Sequence, residues 1–154
     1  MEQLMKVFSE TIQFIDDITE VENTKFQAAL KNNIAKVDDC MKQEQVLLLK
    51  LRGLDKKREA AQKALGYENL TFKQIIEKAP ESDKKKLTEI FNSIEQKLKL
   101  YKKSFSNAQN AIELNLHRID KKLESLNAAD KFNKTYKEDG EVIMAKRSFT
   151  SRRV

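Results

Sequence analysis

The stretch LTEIFNSIEQKLKLYKKSFSNAQNAIELNLHRIDKKLESL, residues 87–126, decides the fold of this chain. An apolar residue recurs there at every seventh position, which is typical of a helix that packs a narrow stripe against another helix. A companion row shifts by one residue at its end, from the register of Ala108 to Leu116 and Leu123, as the face of a straight helix does. The positions of the main row are Phe91, Leu98, Phe105, Ile112, Ile119 and Leu126.

Residues 3–65 carry helical spacing almost without interruption, and we predict a single long helix there. The pattern turns polar near Glu22–Lys25, which we interpret as a change of register within that helix. The first 25 residues present a wider apolar face than a strict seam needs. That face must be covered by the bundle, by a second copy of the chain or by a partner.

The segment between the two long patterns predicts a short helix over residues 71–79. Thr71 and Gln74 have the spacing of a capping box, and Pro80 disfavours helical geometry in the residue before it. A last helix is predicted over residues 82–132.

Two long helices with a short connection are expected to fold back on each other. We therefore predict an all-α protein, a long antiparallel helical hairpin or coiled-coil bundle with a short connecting helix. The helices form a single domain over residues 1–132, and a flexible C-terminal tail follows over residues 133–154.

The composition excludes several functional classes. Cys40 is the only cysteine and His117 the only histidine, and the three glycines are scattered singly, so no nucleophile–base pair, metal cluster or phosphate loop is indicated. We expect neither an enzyme nor a cofactor nor a small-molecule substrate. The absence of a signal-peptide pattern and of a long apolar run favours a cytoplasmic protein without stable membrane insertion.

The net charge of +6 has two interpretations. It suits an anionic partner, but a lysine-rich solvated surface explains it equally simply. The helical part has no arginine run alternating with aromatic residues, which disfavours single-stranded nucleic acid as a partner.

The tail over residues 133–154 combines basic residues with Tyr136, Val142–Met144 and Phe149. A solvated tail does not need these apolar side chains. They dock on a partner, or they fold back and cover the end of the bundle.

Three stretches together resemble the FlgN family of flagellar type III export chaperones. The first is KQEQVLLLKLRGLDKKREAAQKALG, residues 42–66, and the second is LTFKQIIEKAPES, residues 70–82. The third is the Tyr-x-x-x-Gly pattern from Tyr136 to Gly140 near the end of the chain. The resemblance covers nearly the whole chain, and the order of the elements carries it more than any single motif.

The resemblance implies a cytoplasmic chaperone that binds the C-terminal segments of the hook-associated proteins FlgK and FlgL. Such a chaperone prevents their premature association and delivers them to the export gate protein FlhA. By resemblance, Tyr136 and Gly140 form the docking element for the gate. A homo-oligomer through the N-terminal helix follows separately, from the wide apolar face of the first 25 residues, if a second copy covers it. Client binding is implied on the second half of the last helix, at Ile112, Leu116, Ile119, Leu123 and Leu126.

Two alternatives remain from the residues alone. A coiled-coil adaptor or scaffold without an export role explains the apolar rows equally well. The second alternative is a basic helical protein that binds nucleic acid through its C-terminal end. It is suggested by residues 131–154, which hold seven Lys or Arg against three Asp or Glu.

Overall fold

The computed structural model describes residues 1–135, and the side chains of residues 1–128. The described part contains four helices and no strand, which confirms the all-α prediction with its short connecting helix. The helices are α1 (Glu2–Leu30), α2 (Ile34–Ala64), α3 (Phe72–Lys78) and α4 (Glu81–Thr135).

The prediction of one helix over residues 3–65 is wrong, because the chain reverses between α1 and α2. Asn32 adopts a left-handed backbone with φ of 53°, a conformation that asparagine tolerates better than most residues. The side chain of Asn33 then caps α2 by accepting a hydrogen bond from the backbone N–H of Lys36 at 3.1 Å. The turn therefore lies in the asparagine pair, and the polar interruption near Glu22–Lys25 does not end the helix.

The helices α1 and α2 form an antiparallel hairpin. Lys57 Nζ lies 2.8 Å from a Glu10 carboxylate oxygen, and Lys50 Nζ lies 2.7 Å from Asp17. As the position on α1 advances by seven residues, the partner on α2 recedes by seven, which defines the antiparallel register. These pairs are partly exposed to solvent, so they indicate alignment more than stability.

The wide apolar face of residues 1–25 is buried within the chain. Its buried residues contact α2, α3 and α4 in two clusters, and this answers what covers the face. The apolar side chains of α1 in the two clusters are Leu4, Met5, Phe8, Phe14, Ile15 and Ile18.

The first cluster joins the ends of the helices around α3. Ile75 of α3 and Leu87 of α4 are 1% and 0% exposed, and Leu65 packs against the same cluster, as the predicted fold-back requires. Phe72 stacks on Phe8 with ring centroids 4.1 Å apart. The predicted capping box of α3 is present, and its side-chain and backbone bonds link Thr71 with Gln74.

Two polar contacts hold α4 against α1. Lys97 Nζ lies 2.7 Å from an Asp16 carboxylate oxygen. Asn115 Nδ2 donates a hydrogen bond of 2.6 Å to the carbonyl of Ala29, in the last turn of α1. Together with the clusters, they fix α4 along the hairpin as far as Asn115.

The chain divides into a compact unit over Met1–Asn115 and a second unit that begins at Leu116. Of the second unit, the structure describes the part of α4 that ends at Thr135. The predicted tail beyond it, including Tyr136 and Gly140, lies outside the described residues. Within residues 1–135, no helix is long and apolar enough to cross a bilayer.

Candidate functional site

The second unit presents a row of exposed apolar side chains on α4. Leu116, Ile119, Leu123 and Leu126 are 57%, 46%, 53% and 64% exposed. Their spacing of three, four and three residues places them on one helix face. We call these four residues the α4 stripe. Exposed apolar side chains that share one helix face are a candidate binding surface.

Four of the five predicted client-binding residues form this stripe. The fifth, Ile112, is half-buried and belongs to the first compact unit. The structure therefore brings Leu116 to Leu126 together on one face, whereas the partial burial of Ile112 leaves less of its side chain available.

Charged residues of opposite sign flank the α4 stripe. A helix has 3.6 residues per turn, so angles around its axis follow from the sequence positions. Asp120 and Glu124 lie roughly 80° to 120° around the helix from the centre of the stripe on one side. Arg118 and Lys122 lie at the same angles on the other side. All four side chains are exposed. We call these pairs the acidic row and the basic row. Sequence reasoning did not single them out, although each pair has the four-residue spacing that aligns side chains along a helix.

A second exposed apolar set lies on α2. Ile34, Met41 and Leu48 are 75%, 51% and 51% exposed. They recur only every seven residues, one for every two turns, so this row is sparser than the α4 stripe. Val46 and Leu49 are also exposed, at 66% and 65%, but they lie roughly 80° to 140° around α2 from this row.

A buried ionic centre lies inside the first unit. Lys25 of α1 contacts Glu44 of α2, and its Nζ lies 2.9 Å from a carboxylate oxygen of Glu22. Glu22 is 1% exposed and Lys25 6%. The Lys25 ammonium also lies 5.8 Å from the centroid of the Phe105 ring on α4. One lysine thus links all three long helices.

Burial and ion pairing shift the pKa of Glu22, and that of Lys25, in opposite directions. Burial raises the pKa of the Glu22 carboxyl, and the neighbouring Lys25 only partly offsets that effect. Burial by itself would lower the pKa of Lys25, but its bonds to Glu44 and Glu22 outweigh burial and raise the pKa. A lysine that stays charged beside two carboxylates can form stable ion pairs, but it has no neutral amine that could act as a base.

Cys40 and His117 lie in surroundings that do not favour catalysis. Cys40 is buried, and burial raises the pKa of its thiol, which disfavours the reactive thiolate. His117 is exposed on α4. Among the described residues, no cluster of His, Cys, Asp or Glu has the arrangement of a metal site.

Comparison with known proteins identifies one family. The family model described as FlgN protein matches residues 1–142. The match spans both units of the chain and confirms the resemblance seen in the sequence. No curated protein and no solved structure matched this chain.

Proposed function

This chain belongs to the FlgN family of flagellar export chaperones for hook-associated proteins, and on that premise we propose how it holds and delivers its clients. FlgN chaperones are not enzymes, and the family implies binding of FlgK and FlgL. In our proposal the C-terminal segment of FlgK or FlgL lies on the α4 stripe in the cytoplasm. The bound chaperone prevents premature association of its client and passes it to the export gate.

The exposure of the α4 stripe is the observation that carries this proposal. Leu116 and Leu123 of the stripe continue the companion row, in which Leu87 and Ala108 are buried. A client segment that folds into an amphipathic helix can cover such a row by the helix-to-helix packing used elsewhere in the molecule. The family also favours this function over the adaptor and nucleic-acid alternatives, which the apolar rows alone did not separate.

Reversible binding follows from the physics of such a segment. A client that is disordered before binding loses conformational freedom when it orders on the helix. That loss costs about 2–5 kcal/mol of the contact energy and keeps the complex releasable. Release is required of a chaperone that hands its client on.

The double substitution Ile119→Asp with Leu123→Asp tests the client site. Both side chains are about half exposed, so the variant is expected to fold with an unchanged melting curve. The affinity for the C-terminal segment of FlgK or FlgL is expected to fall about thirtyfold or more, because two interface residues at roughly 1 kcal/mol or more each are lost. Titration calorimetry measures the affinity.

The matched control is Val46→Asp with Leu49→Asp on α2. These side chains are 66% and 65% exposed, and the substitutions add the same charge. The control is expected to bind the client as the wild type does. A folded stripe variant that retains full affinity would overturn the assignment of the client site.

The second part of the proposal places gate docking at Tyr136 and Gly140. Both residues lie outside the described part, and the family resemblance of the Tyr-x-x-x-Gly pattern supports the proposal. Tyrosine combines a large apolar ring with one hydroxyl at low entropic cost, and residues of this type often dominate an interface. Gly140 permits the chain to turn just beyond the tyrosine.

The test uses wild type, Tyr136→Ala and Tyr136→Phe, each saturated with client, and the cytoplasmic domain of FlhA. Loss of one anchor is expected to weaken gate binding by roughly thirty- to a thousandfold in the alanine variant. The phenylalanine variant shows how much of that depends on the hydroxyl. Equal affinity of all three proteins would remove Tyr136 from the docking element.

A further inference from the structure

The acidic row and the basic row make the two sides of the α4 stripe different, so a helix bound there can distinguish one direction along α4 from the other. Viewed from outside the stripe with the N-terminus at the bottom, the acidic row of Asp120 and Glu124 lies on the right of a right-handed helix. The basic row of Arg118 and Lys122 lies on the left. Among the described residues, none of these four side chains forms a salt bridge.

We propose that the two rows select a client helix with oppositely charged flanks and fix the direction in which it lies on α4. This inference rests on the proposed function, because it takes the α4 stripe as the client site. The partner is an amphipathic helix with an acidic row on one side of its apolar face and a basic row on the other. Charges that flank an apolar seam set partner choice and orientation in paired helices.

The direction follows from geometry. A helix that faces α4 and runs parallel to it has its left and right sides exchanged relative to α4. A client with its acidic row on its own right, as in α4, therefore meets the basic row only when it runs parallel. A client with its acidic row on its own left matches only when it runs antiparallel. In the wrong direction like charges face each other, which disfavours binding.

Two designed peptides provide the probe. They share one composition and one apolar row, and they differ only in that the acidic and basic rows are exchanged. Each carries a spin label at its N-terminus. The protein carries a label at Ala128→Cys in a Cys40→Ala background, because Ala128 is exposed and lies on the face opposite the stripe. Electron–electron distances then report which end of the peptide lies near residue 128.

The decisive variant exchanges the rows of the protein by Arg118→Glu, Lys122→Glu, Asp120→Lys and Glu124→Lys. It preserves the net charge and the apolar stripe. The peptide with its acidic row on the right is expected to bind the wild type with its N-terminus far from residue 128, and the other peptide with its N-terminus near. The directions are expected to exchange in the variant, whereas a Lys121→Glu control on the opposite face leaves them unchanged.

Affinity provides a second measurement. Asp120→Lys with Glu124→Lys makes both rows basic, so either peptide meets one repulsive row in either direction. Both affinities are expected to fall about three- to tenfold at low salt, as for a few exposed ion pairs, and to recover at about 0.5 M salt. The full exchange of rows is expected to leave both affinities within about threefold of wild type.

The outcomes separate this inference from the proposed function. If FlgK or FlgL segments bind the stripe but both peptides run in one direction, or keep their directions in the exchanged variant, the inference about the rows is wrong. If the peptides behave as expected and no hook-associated segment binds, the proposed function fails and the rows still orient a helix. A stable dimer of this chain through the stripe, which the peptides do not displace, would overturn the choice of partner.

Discussion

The two parts of α4 place the same apolar repeat in different surroundings. In the unit over Met1–Asn115, Leu87 and Ala108 of the companion row are fully buried, whereas Leu116 and Leu123, which continue that row in the second unit, are 57% and 53% exposed. The repeat alone therefore does not determine whether a position is core or binding surface. Exposure is not confined to the second unit, because Leu98 and Phe105 of the first unit are 39% and 43% exposed. It depends on which face of α4 the other helices cover.

The largest loss of stability is expected at the ionic centre, which lies in the first unit and has no counterpart in the α4 stripe. Lys25→Met removes the only cation from a site with two carboxylates, Glu22 and Glu44. We expect a loss of about 3–5 kcal/mol in the free energy of unfolding, because an uncompensated buried charge remains. The control Lys50→Met breaks the exposed pair with Asp17 and is expected to cost about 0–1 kcal/mol. Urea unfolding at neutral pH compares the two variants.

The cost of Lys25→Met is expected to depend on pH. Burial raises the pKa of Glu22 above its ordinary value of 4.5, so the folded state holds this proton more tightly than the unfolded state does. Stability from such a group is fully present below the unfolded pKa and is lost as the pH rises through the folded pKa. Removing Lys25 raises the folded pKa further, so the cost should be smaller near about pH 4 than at neutral pH. A cost independent of pH would show that Glu22 is not the charge left unpaired.

Leucine truncation compares the two environments of α4 directly. Leu87→Ala removes a fully buried side chain and is expected to lower the free energy of unfolding by about 2–5 kcal/mol. Leu123→Ala makes the same chemical change at a half-exposed position, and we expect a loss below about 1 kcal/mol. Denaturant midpoints at equal slopes measure both. Equal losses would mean that Leu123 is covered as Leu87 is and is not available to a client.

The sequence was sufficient for the helical class and for the short helix α3, but it did not reveal that residues 3–65 form two helices, nor how the helices pair. The capping box at Thr71 and the fold-back of Leu65 onto the cluster around Leu87 followed from local spacing. Spacing also placed Leu98 and Phe105 in the core, yet they are 39% and 43% exposed. A heptad specifies which residues share a face, whereas exposure depends on what packs there, and that is a long-range property.

The hairpin turn was the feature that the sequence concealed. The helical pattern continues through residues 31–33, and a single left-handed residue, Asn32, reverses the chain. The ionic centre was missed for a related reason, since Lys25 and Glu44 come together only after the chain has reversed. The sequence placed Ile112 with Leu116 to Leu126 on one helix face, but only the structure shows that Leu116 to Leu126 are exposed while Ile112 is half-buried.

The smallest change in stability is expected at the turn between α1 and α2. Asn33→Ala removes the side-chain oxygen that accepts from the Lys36 N–H and leaves that donor without its cap. The expected loss is about 1 kcal/mol, typical of an asparagine cap, whereas Asn33→Asp keeps the acceptor and should change the stability by less. Because the turn lies in the first unit, client affinity at the α4 stripe should be unchanged in both variants. Urea unfolding and client titration of the same samples test this, and a loss of affinity without a loss of stability would show that the turn itself contributes to client binding.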